Sequence, residues 1–72
     1  MANKTINSNI NHKGKVYHIQ TEIVSGNVIT QIFVKGRVVF TVKDKFIDFA
    51  TTNKQHKTAE AAILRDKLKL DD

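Results

Sequence analysis

Lys13-Gly14-Lys15-Val16-Tyr17-His18-Ile19 and, 22 residues on, Lys35-Gly36-Arg37-Val38-Val39-Phe40-Thr41 repeat one device. Each is a basic, glycine-centred tight turn running into an alternating strand. The repeat predicts two β-hairpins and sets four cations beside two turns.

The strand before the first turn, Thr5 to Asn11, puts Ile6, Ser8 and Ile10 on one side and Thr5, Asn7, Asn9 and Asn11 on the other. Val16 to Val24 alternates likewise, with Tyr17, Ile19, Thr21 and Ile23 against His18, Gln20 and Glu22. A two-residue loop at Lys13-Gly14 pairs Ile10 with Tyr17 and Ser8 with Ile19. It also sets Asn7, Asn9 and Asn11 opposite Gln20, His18 and Val16. Two independent patterns thus agree on one register, and a one-residue slip would put the isoleucines among the asparagines. Ser25-Gly26-Asn27 predicts the next turn. Val28 to Val34 follows as a third strand and Val38 to Lys43 as a fourth. The third hairpin admits two registers. A two-residue loop pairs Ile32 with Val39; a three-residue loop with a bulge pairs Val34 with Val38 and Ile32 with Phe40. The second is preferred, because it gathers Val34, Ile32, Val38, Phe40 and Val42 on the core side and leaves Ile29, Phe33 and Val39 outside.

After Lys43 the chemistry changes. Asp44 is placed to cap a first helical turn through Phe46, Ile47 and Phe49. Thr52 and Gln55 have capping-box spacing, which predicts a break near residues 50–53. From there to Leu70 the residues favour helix, with no glycine or proline. The expected fold is therefore α+β: a four-stranded antiparallel β-meander with a C-terminal α-helix packed on one face (ββββα). Residues 1–72 form a single domain, divided into a β-meander at 1–43 and a helical segment at 44–72. The expected core is Ile6, Ile10, Tyr17, Ile19, Ile23, Ile32, Val34, Phe40 and Val42. On the helix, Ala59, Ala62, Ile63 and Leu70 make one apolar stripe, and Ala61, Leu64 and Leu68 a second, nearly opposite. A helix on its own sheet needs one stripe. The other suits a homodimer burying Leu64 and Leu68, with the Ile29–Phe33–Val39 patch as an alternative contact surface.

Composition narrows the function classes. Seventy-two residues without cysteine allow one small core and no disulfide or thiolate metal site. No apolar run approaches the length of a membrane span. Residues 1–11 lack the apolar stretch of a signal peptide, so a cytoplasmic location is expected. The formal net charge is +5. Residues 1–43 carry six basic side chains against Glu22 alone, whereas residues 44–72 carry six of each sign. The whole excess belongs to the β part, which suggests an anionic partner.

Several short stretches together carry a family resemblance: Lys15-Val16-Tyr17-His18-Ile19-Gln20-Thr21-Glu22, Val28-Ile29-Thr30-Gln31-Ile32-Phe33 followed by Gly36, then Gln55-His56-Lys57 and Leu64-Arg65. The set resembles a small bacterial protein family of unassigned activity, found mainly in deltaproteobacteria. The likeness runs over about residues 9–70. The loop at Ser25–Asn27 departs from it, being shorter than the family's acidic, proline-containing loop. The resemblance implies the β-then-helix layout and supplies no mechanism.

Chemical motifs are sparse. His18, Gln20 and Glu22 share a strand face, but positions i and i+4 on a strand are about 13 Å apart, too far for one metal. Ser8 and Ser25 show no evident histidine–carboxylate pairing, and His56 reads as a surface histidine on the helix. No phosphate-binding loop or dinucleotide fingerprint is present, so no cofactor is implied. The three glycines are accounted for by turns. The remaining signal is the pair of basic turns. In a meander the first and third turns lie at one end of the sheet, so Lys13, Gly14, Lys15, Lys35, Gly36 and Arg37 converge, with turn amides suited to phosphate oxygens. Lysines at turns also guard sheet edges against aggregation. Phe33 and His18 alone offer stacking surfaces on the open face, with no further readout device for nucleic acid. The sequence therefore predicts a non-enzymatic binding or interaction module. Its alternative is a binder of nucleic acid or phosphate through the basic pole.

Overall fold

Three residue pairs set the sheet. Lys13 and Gly14 have φ of 54° and 78°, Ser25 and Gly26 49° and 78°, Lys35 and Gly36 53° and 78°. Positive φ at both central positions is the signature of the type I′ hairpin turn, whose twist matches that of the strands it joins. The computed structural model of the protein, which describes residues 5–65, accordingly contains a meander. Its strands are β1 (Thr5–His12), β2 (Lys15–Val24), β3 (Asn27–Val34) and β4 (Arg37–Lys45), hydrogen-bonded in that order in one antiparallel sheet. One helix, α1 (Phe49–Leu64), packs on one face of it. The ββββα fold expected from the sequence is the fold observed.

The first hairpin has the predicted register, with Ile10 opposite Tyr17, Ser8 opposite Ile19 and Asn9 opposite His18. In the second, the turn takes only Ser25 and Gly26; Asn27 is already in β3, opposite Val24. The third hairpin corrects the sequence reading. Its loop has two residues, Lys35 and Gly36, so Val34 faces Arg37, and not Val38. The extra residue lies one step further on: Phe33 faces Val38, Ile32 faces Phe40, and Val39 is bulged between them. Such a bulge sends two successive side chains to the same side. Val39 therefore joins Phe40 on the core face and is 2% exposed, while Val38, expected inside, is 41% exposed.

The helix begins later than expected. Asp44 belongs to β4, which continues to Lys45. Asp48 is the N-cap: its Oδ1 accepts from Thr51 N at 2.7 Å, which holds its carboxyl below the usual carboxylate range. Thr52 starts no new helix. Its hydroxyl donates to the Asp48 carbonyl at 2.9 Å, and α1 runs through residues 50–53 unbroken. The expected capping box at Thr52 lost to a better cap four residues earlier.

The core sits between α1 and strands β1, β2 and β3, with Val39 contributed by β4. Ile19, Ile32, Val34, Val39, Ala59 and Ile63 are buried, with Ile10, Tyr17 and Phe40 packed at their margin. Ile6, Ile23 and Val42 occupy the same face but are half-buried. The buried helix stripe is Thr52, His56, Ala59 and Ile63, a spacing of one helical face. Ala62 flanks it half-buried, and Leu64 of the second stripe is 51% exposed. Leu68 and Leu70 lie outside the described residues.

Candidate functional site

The meander carries turns one and three to the same end of the sheet. There Lys13, Gly14, Lys15, Lys35 and Gly36 border one surface concavity of about 640 Å³, floored by Val16, His18, Phe33 and Val34. Five of the six residues expected at the basic pole thus line one feature. Arg37, the sixth, opens β4 beside the turn without lining the concavity. His18 and Phe33 are cross-strand partners on β2 and β3, with ring centroids 5.8 Å apart and planes tilted by 50°. The His18 ring is steadied from β1, through Nδ1 to Asn9 Oδ1 at 2.9 Å and Nε2 to Asn7 Oδ1 at 3.2 Å. The asparagine face of β1 therefore fixes one ring of the concavity's floor.

The turns add backbone chemistry. A side chain at φ near +50° is strained relative to glycine or asparagine. Lysine nonetheless occupies that position in both turns of this pole. Asn-Gly is the pair that best suits a type I′ turn, so the cation stands where local propensity alone would select another residue.

A second cluster, overlooked in the sequence, lies under the helix. His56 is buried at 3% exposure, and not at the surface as expected. Its Nε2 is 2.8 Å from Ser8 Oγ and its Nδ1 2.7 Å from Thr21 Oγ1. Thr21 Oγ1 is in turn 2.7 Å from Thr30 Oγ1, which accepts from Gln55 Nε2 at 3.0 Å. Ser8 Oγ donates to Glu60 Oε2 at 2.5 Å. The two ends fix the direction of the whole chain. An ionised carboxylate only accepts, so the single hydroxyl hydrogen of Ser8 goes to Glu60. The Ser8–His56 bond must then be donated by Nε2–H. A neutral imidazole accepts at Nδ1 from Thr21, and Thr21 accepts from Thr30. Each hydroxyl donates once, and no described buried side-chain polar atom lacks a partner. Desolvation holds His56 below its ordinary pKa, reinforced by Lys57 and His18 and opposed by Glu60, whose Oε2 is 3.5 Å away.

The serine and histidine thus meet, contrary to expectation, but with the polarity reversed for nucleophilic chemistry. A general base must accept the serine proton; here the imidazole donates to the serine. The Nδ1 side has a hydroxyl where an orienting carboxylate would sit. The cluster ties β1, β2 and β3 to α1. A signal for it was present: Ser8 and Thr21 lie on the apolar sides of their strands, and polar residues pointing into a core require one another.

Among the described residues, no three histidine, cysteine or carboxylate side chains gather as a metal set, and no helix is long and apolar enough to cross a membrane. Comparison with protein-family models, with curated proteins and with solved structures finds no match to this chain.

Proposed function

We propose that this protein is a small non-catalytic binding module that engages a polyanion, through phosphate or a phosphate-like group, at the concavity between turns one and three. One observation carries the reading: three lysines and two turn glycines border a single surface feature of about 640 Å³. Clustered cations raise the local potential even where single pairs are worth little. Amides of glycine turns suit oxyanions. His18 and Phe33 on the floor add flat surface for a base or sugar, so single-stranded nucleic acid and free phosphate share the chemistry required. A cytoplasmic setting fits such ligands. Homodimerisation is a second reading, favoured by the exposure of Leu64 at 51%; the sheet patch offers Ile29, Phe33 and Val38, since Val39 is buried.

The test is an amide-resolved titration at low salt with inorganic phosphate and, separately, a short single-stranded oligonucleotide. Gly14 and Gly36 should shift first. Lys13→Gln with Lys35→Gln should weaken binding and reduce the salt slope by about one unit per lost phosphate contact. Silence of both glycines with both ligands would remove the polyanion reading. A doubling of mass at tens of micromolar, abolished by Leu64→Glu, would favour the dimer.

A further inference from the structure

The helix does not cover the whole sheet. Its backbone approaches β1, β2 and β3, and it covers β4 only at Val39, leaving Phe40 and Val42 half-buried. Beyond Val39, the helix-facing side chains Phe40 and Val42 form the floor of a groove of about 380 Å³. Its helix wall includes Ala59 and Ala62, whose small side chains leave the width, with Lys54 of the helix and Asp44 of β4 also on its lining. β4 is also the edge strand, pairing with β3 alone among the described residues. An apolar groove thus runs beside an open main-chain edge, the two elements that strand-adding ligands use.

Charge selects the occupant. β4 carries Arg37, Lys43 and Lys45 against Asp44. On the open face of the sheet its side chains are Thr41, Lys43 and Lys45, opposite Gln31, Ile29 and Asn27. A second copy of β4 laid antiparallel on this edge would bring these cations together, and like charges on neighbouring strands repel. An added strand alternates its side chains between the two faces. One set would enter the groove over Phe40 and Val42; the other would lie beside Lys43 and Lys45. The bulge at Val39 disrupts the ladder above Phe40, which confines regular pairing to residues 40–45.

We propose that the β4 edge and the groove beside it form a strand-addition site for an extended peptide segment that alternates apolar and acidic residues. The site is separate from the concavity between the basic turns, and Gly14 and Gly36 report on that concavity independently.

The experiment titrates the full chain with a capped heptapeptide of alternating glutamate and valine, and with the same peptide carrying lysine for glutamate. The acidic peptide should shift amides of residues 40–45 and 59–62 and leave Gly14 and Gly36 in place. It should bind about tenfold tighter than its lysine counterpart, the effect of a few favourable cross-strand charge pairs. Ala62→Gln, a good helix former that fills the groove, should weaken it about tenfold while the far-ultraviolet spectrum stays unchanged. Four results would overturn the proposal: no shifts in β4, equal binding of both peptides, shifts confined to Gly14 and Gly36, or β4 shifts that appear on concentrating the protein alone. The last would assign the edge to a second copy.

Discussion

The two flanks of α1 are built on opposite principles. Toward β1, β2 and β3 the helix is bound by a directional hydrogen-bond chain from Gln55 through Thr30, Thr21, His56 and Ser8 to Glu60. Toward β4 it presents alanines and leaves Phe40 and Val42 half-covered. Polar partners fix position, because a helix that slides by one turn strands several buried groups at once. Apolar contact alone imposes no such demand. The locked flank therefore sets where the helix lies, and the loose flank is where something else can enter.

The largest expected effect separates the flanks by cavity cost. Ile19 is fully buried beneath the helix. Ile19→Ala should lose about 2–5 kcal/mol, enough to threaten a domain of this size. Phe40→Ala, on the open flank, should lose no more than about 2 kcal/mol, because part of that ring already faces water. Chemical denaturation of both variants measures the contrast. Equal losses would mean that β4 is covered as well as β2 is.

Breaking the locked flank comes next. Thr21→Val keeps shape but removes the hydroxyl between His56 and Thr30. It should cost about 1–3 kcal/mol, since His56 Nδ1 and the Thr30 hydroxyl hydrogen are left buried without partners. Adding Thr30→Val should recover part of the loss by removing one orphaned group. A neutral outcome for Thr21→Val alone would show that the chain of hydroxyls does not anchor the helix.

The same chain predicts a pH dependence. His56 has a lowered pKa in the folded protein relative to its ordinary 6.5, chiefly through desolvation. As pH falls below about 6.5, the unfolded chain takes up the proton before the folded one does. Stability therefore declines from there until the pH passes the folded value, then levels off. Protonation also forces Nδ1 to donate, so Thr21 must turn its hydrogen to Thr30 and leave Thr30's own without its place. His56→Gln, which offers one acceptor and one donor at its tip, should reduce the loss of thermal stability between about pH 7.5 and pH 5. An unchanged loss would assign it to carboxylates elsewhere.

What was legible follows from how many patterns agreed. In the first hairpin the isoleucines and the asparagines independently select one register, and that register is present. In the third, loop length and bulge position trade one residue against each other, and Val38 and Val39 are chemically identical, so no pattern decides which of them turns inward. Asp44 and Asp48 are likewise both competent caps; the winner is set by how far β4 can pair with β3. His56 was misplaced because helix periodicity counts histidine as polar. Its partners Ser8 and Thr21 lie 48 and 35 residues away, a distance only tertiary structure closes. The basic pole was legible because turn parity in a meander is fixed by strand count, whatever the registers.

The smallest expected effect tests whether the pole's lysines are kept for a ligand. Lys13, Ser25 and Lys35 occupy equivalent turn positions with φ near +50°. Asparagine tolerates that conformation better, so each single change to asparagine should stabilise the protein by about 0.5–1 kcal/mol. The three should part company on ligand binding. Ser25→Asn lies at the opposite end of the sheet and should leave phosphate or oligonucleotide affinity unchanged. Lys13→Asn and Lys35→Asn should each gain stability and lose affinity, the trade expected when a residue is retained at a strained position for its charge. Paired thermal melts and anion titrations on the three variants decide it. If the lysine variants gain stability and bind as before, the cations serve to keep the turns soluble, and the concavity they border is not a ligand site.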